Sequence, residues 1–350
     1  MFFVCLSHFA TSIYGRKVVE SAAATVLWKI GLVASPAFVL ISGMMLGYLY
    51  ASAPEGFPAF RRKLIDRGVF LLVPGHILIA VAHLQYSGGV RHALEWLFMT
   101  DAIGVSIIIG PLLVDRVKPR GRVVLAGVLF AVAWGMAIVW QPTGFAGRLA
   151  HDTLFGPGMT PVYLYSFPLL HWFALYLAAS ALGEKLAAVR RRESDAGMIR
   201  ALVRVGVVSI ASAAALRAAA VVAQQLYRPS WTADLLSSPF QKLPPSPVFL
   251  LVYGGAALFL FAGIMAAEQR KVATWLVGTL DVVGRTSLFA FVLQYYVYYV
   301  VLDAMDFRGQ LEWAGAFALS LVVVGGLCHL WNRGGYNRFI TVGLRRRAPD

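Results

Sequence analysis

The 350-residue chain is 59% hydrophobic and only 14% charged, with a mean hydropathy of +0.70, which excludes an ordinary soluble domain and makes a bilayer its solvent. A formal net charge of +14 does not point to nucleic acid, because Lys and Arg cluster between long apolar runs and not over a soluble basic face. The two cysteines, Cys5 and Cys328, lie in apolar runs near opposite ends with no CxxC or Cys/His grouping, which excludes a disulfide framework and a zinc site.

Apolar runs at 1–13, 26–51, 68–86, 94–114, 123–140, 162–182, 201–223, 248–267, 282–302 and 313–331 predict an all-α polytopic transmembrane bundle of about ten spans. An interfacial piece at 273–280 is expected to lead into the ninth. One transmembrane domain is expected over 1–333, followed by a basic cytoplasmic tail at 334–350. The first run has about two-thirds of the roughly 20 residues a helix needs to cross. It shows neither a basic n-region nor a small-residue cleavage site. The expectation is an incomplete span whose cytoplasmic half lies upstream of Met1.

Alternate loops differ in basic charge as the positive-inside rule requires: one set holds 20 Lys and Arg, the other 7. The rich set includes Arg61, Arg62, Lys63 and Arg67, then Arg116 to Arg122, Lys185 to Arg200, Arg270 with Lys271, and the tail with Arg345, Arg346 and Arg347. Both termini are therefore expected in the cytoplasm, with the bundle in a bacterial inner membrane. The poor set includes two long loops, 141–161 and 227–247, which either cap a cavity or are plain surface connections. Trp96, Trp140, Trp231, Trp313 and Trp331 fall near predicted interfaces, as an aromatic belt does.

Polar side chains inside apolar runs mark either helix packing or a site. His8 lies in the first run, with Cys5 and Thr11 on its own helix face; an imidazole there either accepts a proton from a nucleophile or bonds a neighbouring helix. His76 and His83 are one heptad apart beyond Pro74, and line a pocket or flank a kink. Asp101 could bind substrate, orient an imidazole or sit at the interface, and His171 belongs to a Tyr-rich stripe or a core seam. Arg217 and Gln224 form a second polar face. Asp281 and Arg285 are spaced for an ion pair at the start of the ninth span, beyond which Ser287, Gln294 and Tyr298 share a face pointing into the bundle. There is no Walker A loop, HExxH, CxxCH or nucleotide-binding glycine fingerprint, and no metal is expected.

Several stretches, taken in order, resemble the multi-spanning acyltransferases that include the heparan-alpha-glucosaminide N-acetyltransferase-like proteins and the acyltransferase type 3 group. Met1-Phe2-Phe3-Val4-Cys5-Leu6-Ser7-His8 looks like the end of that family's first, histidine-bearing span. Ser35-Pro36-Ala37-Phe38 with Ile41-Ser42-Gly43 is similar to its second. Arg62 to Gly68 running into Leu71-Leu72-Val73-Pro74-Gly75-His76 is similar to its basic loop and third span, and Gly284-Arg285-Thr286-Ser287-Leu288-Phe289 with Gln294 to a late Gly-Arg-x-Ser-Leu segment. The family's Asp and Leu-Arg-Gly stretch ahead of the histidine is not in this sequence. The resemblance implies transfer of an acyl group, commonly acetyl, from cytosolic acetyl-CoA or another acyl-CoA to a glycan, a lipid-linked acceptor or another cell-envelope acceptor. It makes His8 the catalytic histidine, acting as general base or acyl carrier. His76, His83, Asp101 and His171 are then candidates for binding substrate, and Arg61, Arg62, Arg67 and Arg285 for binding the coenzyme's phosphates. Membrane lipid is the implied surrounding partner. A transporter or flippase, with the Arg217/Gln224 face and the kinked third span along its pathway, is the rival reading.

Overall fold

The computed structural model describes residues 1–10, 22–84, 89–90, 95–158, 161–163, 165–226, 231–272, 274–305, 310–340 and 342. In chain order the helices are α1 (Phe2–Phe9), α2 (Ala22–Gly31), α3 (Ala34–Ser52), α4 (Phe57–Phe70), α5 (His76–Ala82), α6 (Met99–Leu113), α7 (Pro119–Val139) and α8 (Phe145–Leu154). They continue as α9 (Leu169–Glu193), α10 (Asp195–Leu226), α11 (Trp231–Ser237), α12 (Pro247–Gln269), α13 (Thr274–Arg285), α14 (Ser287–Tyr296) and α15 (Gln310–Arg333). A two-residue parallel pair, β1 (Trp96–Leu97) with β2 (Tyr165–Ser166), joins two loops in the register Trp96 to Tyr165.

The all-α expectation holds, and each apolar run of the sequence carries helix. Among the described residues, seven helices are long and apolar enough to cross a membrane: Thr25–Ser52, Phe57–Ala82, Pro119–Val139, Leu169–Glu193, Asp195–Leu226, Pro247–Gln269 and Glu312–Arg333. An eighth counts if the bent pair Thr274–Arg285 and Ser287–Val301 is taken as one span. The fourth predicted span is represented by the 15 residues of Met99–Leu113, and the first by the 8 of Phe2–Phe9. Thr11 and Ser12 lie outside the described residues, as do Arg345, Arg346 and Arg347 of the tail.

Two compact units divide the chain. In the one built from Pro36–Leu72 and Glu95–Ala266, small residues set the helix crossings, as they do where lipid removes the hydrophobic drive for association. Gly43 and Gly47 of α3 rest on the backbone of Tyr176 and Ser180 in α9, while Gly183 of α9 meets the backbone of Met44 in return. A Cβ on Gly68 of α4 would come 2.8 Å from the Gly104 carbonyl of α6, and Gly206 of α10 meets Gly255 of α12 in the same way. Helices α7 and α9 are locked by Arg122, which is fully buried, donates to Ser180 Oγ at 2.8 Å and to the Val117 carbonyl at 3.1 Å, and pairs with Glu184. Glu184→Ala strands that guanidinium without its counter-charge. Loss of about 3 kcal/mol is expected, read as a lower thermal midpoint in detergent, whereas Arg122→Met with Glu184→Gln should recover much of it; a silent Glu184→Ala would contradict the pairing.

The connection from α10 to α12 is pinned by side chains. Arg217 donates to Ser237 Oγ at 2.7 Å, Gln224 Nε2 to Asp234 at 2.7 Å, and Ser246 Oγ accepts the Phe249 N–H at 2.9 Å, capping a helix that opens on Pro247. Lys242 in this loop is half-buried with its ammonium 4.9 Å from the Phe167 ring centre. Burial pushes its pKa down to about 8. The folded chain thus holds this proton less tightly than the unfolded chain, so the cost of the charge is full below about pH 8 and fades as pH rises toward the ordinary lysine value. Lys242→Met is expected to raise the thermal midpoint near neutral pH and to lose that advantage by about pH 10. A gain that stayed constant across this window would contradict it.

The other unit comprises Met1–Ser35, Val73–Leu94 and Ala267–Val342. Within the third predicted span, Pro74 falls in a π turn, Leu71–Gly75, that links α4 to α5 and frees backbone groups beside His76. The ninth predicted span is bent by 85° at Thr286, whose hydroxyl donates to the Val282 carbonyl at 2.9 Å. Ahead of the bend, α13 has no buried residue and exposes Trp275, Leu276 and Leu280; it is longer than the interfacial piece expected at 273–280. The Asp281–Arg285 pair forms at 2.9 Å, out in the open.

Candidate functional site

In this unit α1 is held from two sides. A Cβ on Gly31 of α2 would come 2.9 Å from Ser7, so the two helices touch backbone to side chain. Phe9 packs on Trp313 and Phe317 of α15, with ring centres 4.8 and 4.9 Å apart. Those contacts leave the next side chain back, His8, half-buried and turned to a tyrosine stripe.

Phe291, Tyr295 and Tyr299 recur every four residues along α14 and the π turn Val297–Val301, so their rings lie on one face. Tyr295 and Tyr299 stack at 5.6 Å. His8 meets Tyr295 at 4.6 Å, Tyr299 at 5.9 Å and Phe291 at 6.4 Å. His83, immediately after α5, meets the same tyrosines at 5.0 and 4.5 Å. Two histidines from separate runs of the sequence therefore converge on one aromatic pair.

His83 is buried, and its Nδ1 lies 3.0 Å from the Ile79 carbonyl. A carbonyl only accepts, so Nδ1 carries the proton. Tyr296 fastens α14 to α5 by donating to the Leu78 carbonyl at 2.8 Å. Gln294 and Tyr298 point into the unit as expected, both fully buried, with the Tyr298 hydroxyl 3.1 Å from Ser320 Oγ; Ser287 is half-buried. His76, at the first turn of α5, is half-buried.

The remaining expected site residues lie elsewhere. Asp101, in the unit that holds α6, accepts the Phe98 N–H at 2.7 Å and so caps the start of that helix. His171 of the same unit is fully buried between Phe130 and Trp134, both edge-on at 5.3 and 5.4 Å. Arg61 pairs with Asp115 at 2.9 Å, while Arg62 and Arg67 are exposed. Arg285 is occupied by Asp281. No group of His, Cys, Asp and Glu among the described residues is arranged to hold a metal ion.

No family model, curated protein or solved structure matches the chain. The site therefore rests on its own geometry. That geometry adds Tyr295 and Tyr299 to the residues singled out by sequence; their spacing of four, continued from Phe291, is the legible signal. Neither was separable from its neighbours Gln294 and Tyr298 until His8 and His83 were seen against them.

Proposed function

We propose that the protein is a membrane acyltransferase that moves an acyl group, most simply acetyl, from cytosolic acyl-CoA to a hydroxyl or amine of a glycan or cell-envelope acceptor. The observation that carries this reading is the convergence of His8 and His83 on the Tyr295/Tyr299 stack, because it sets the imidazole implied by the family resemblance in a built polar–aromatic site. His8 takes the proton from the acceptor as its oxygen or nitrogen attacks the thioester carbonyl. The C–S bond breaks, and the coenzyme A thiolate leaves with the proton from the imidazolium. Of the basic residues expected at the coenzyme's phosphates, Arg61 and Arg285 already hold carboxylates.

The reading includes a bundle of about ten spans with both termini cytoplasmic, in a bacterial inner membrane, with α13 lying in the interface on its exposed Trp275 and Leu276. The transporter alternative drew on the Arg217/Gln224 face, but those side chains are engaged by Ser237 and Asp234. Labelled acetyl-CoA offered to inside-out vesicles tests the reading. Label should reach an envelope acceptor only when the chain is present; solute uptake with no acyl transfer would overturn it.

A further inference from the structure

The chain bends by 85° between α13 and α14, and the packing of α14 fixes the direction of α13. Phe289 stacks on Trp331 of α15 at 4.0 Å, and further along the helix Tyr298 meets Ser320 at 3.1 Å. The stretch from α14 into the π turn therefore runs antiparallel along α15, which is long and apolar enough to cross a membrane. A helix set at 85° to that pair lies close to the plane of the bilayer, at the level of Trp331 near the C-terminal end of α15. We propose that α13 and the turn Tyr336–Phe339 together form a binding surface for anionic phospholipid headgroups. The proposal rests on the placement of α13 in the interface given above and is independent of the chemistry at His8.

The surface is amphipathic by construction. Along α13, Trp275, Thr279 and Val282 recur at helical spacing with Leu276, Leu280 and Val283 beside them, while Thr274, Asp281 and Arg285 occupy the opposite side. No residue of this helix is buried, and Trp275 is 75% exposed. An indole left so bare suits the boundary between headgroups and acyl chains, where its ring and its N–H each find a partner phase. The turn is fastened to the bend by Asn337, which donates to the Arg285 carbonyl at 3.3 Å and accepts from Trp331 Nε1 at 3.1 Å. That holds the exposed rings of Tyr336 and Phe339 beside the C-terminal end of α13.

The charge selects the lipid. Arg270 and Lys271 precede α13, Arg285 closes it, and Arg333 and Arg338 flank the turn; all five are exposed. Asp281 is held by Arg285 at 2.9 Å, and from Trp313 to Pro349 the sequence has five arginines and no Asp or Glu. Arg270, Lys271, Arg333 and Arg338 thus outnumber the one other acid nearby in sequence, Glu268. The Arg338 guanidinium lies 4.9 Å over the Phe339 ring, so the ring can enter the acyl region while the charge stays among phosphates. A zwitterionic headgroup carries its own cation and gains little here. A headgroup of net negative charge gains about five-fold in affinity for each nearby Lys or Arg.

The full chain reconstituted in phosphatidylcholine vesicles tests this. A minor part of the lipid carries bromine on its acyl chains, as phosphatidylglycerol in one preparation and as phosphatidylcholine in another. The Trp275 emission is isolated by subtracting the spectrum of Trp275→Phe. Brominated phosphatidylglycerol should quench it with a relative affinity about ten-fold or more above that of brominated phosphatidylcholine, and the preference should shrink at high salt. Arg333→Gln with Arg338→Gln, and separately Arg270→Gln with Lys271→Gln, should each lower the preference about five-fold or more. Both pairs should melt near the parent, since all four side chains are exposed. Quenching by neither lipid, as a covering protein or a second copy of the chain would give, overturns the placement of α13 and the proposal with it. Equal quenching by the two lipids leaves the placement standing and overturns the proposal, as does a preference that neither pair of substitutions changes.

Discussion

Gly47→Leu is expected to remove most of the folded protein from detergent extracts, and Gly47→Ala to lower the thermal midpoint. The second half of this expectation is the sharper one. In a helix interior, Gly→Ala ordinarily stabilises by about 0.5–1 kcal/mol, because alanine loses less backbone freedom on folding. Here the new Cβ would run into the Ser180 carbonyl and press within 2.9 Å of the Glu184 nitrogen, both backbone atoms of α9 that cannot rotate away. The helices must separate, which also loosens the neighbouring Arg122 contacts to Ser180 and Glu184. Overpacking of this kind costs about 1–3 kcal/mol for a few atoms, enough to reverse the sign for alanine and to exceed it for leucine. Thermal unfolding followed by size-exclusion fluorescence measures both. An alanine variant as stable as the parent would mean that α3 and α9 do not touch at Gly47.

His8→Ala is expected to lower acyl transfer by about 100-fold or more, the usual scale for loss of a general base. Because His8 also packs on Tyr295, part of any loss could come from loosened structure, so the substitution needs companions. His8→Phe restores the ring and should be as inactive as alanine while melting near the parent. His8→Gln keeps a hydrogen-bonding group but cannot take a proton at neutral pH, and should be inactive too. His83→Phe bears on the same cluster. It keeps the contacts to Tyr295 and Tyr299 and removes the ring nitrogens; a smaller loss is expected there if His8 is the base. If His8→Phe retained activity and only His8→Ala lost it, in step with its melting, His8 would be a packing residue.

Much of this was legible in the sequence because hydropathy and spacing are local. The helices follow from apolar runs bounded by charge, and the inward face of Gln294 and Tyr298 from steps of four along one helix. What was not legible depends on partners far along the chain. Nothing in the sequence around Thr286 shows that the ninth run breaks there, nor that the fourth run keeps only 15 helical residues. Arg122 reads as one more cytoplasmic charge until α9 supplies Ser180 and Glu184. Asp101 reads equally well as a ligand, an orienting acid or an interfacial residue, and its bond to the Phe98 N–H gives it a capping duty.

The most direct test of acyl transfer at the His8 cluster is the initial rate of label transfer from acetyl-CoA in inside-out vesicles, parent against His8→Phe at equal amounts of folded protein. The account predicts label on an envelope acceptor with the parent and about 1% or less of that rate with the variant. Equal rates, or no transfer by the parent with any acyl-CoA donor, would contradict it.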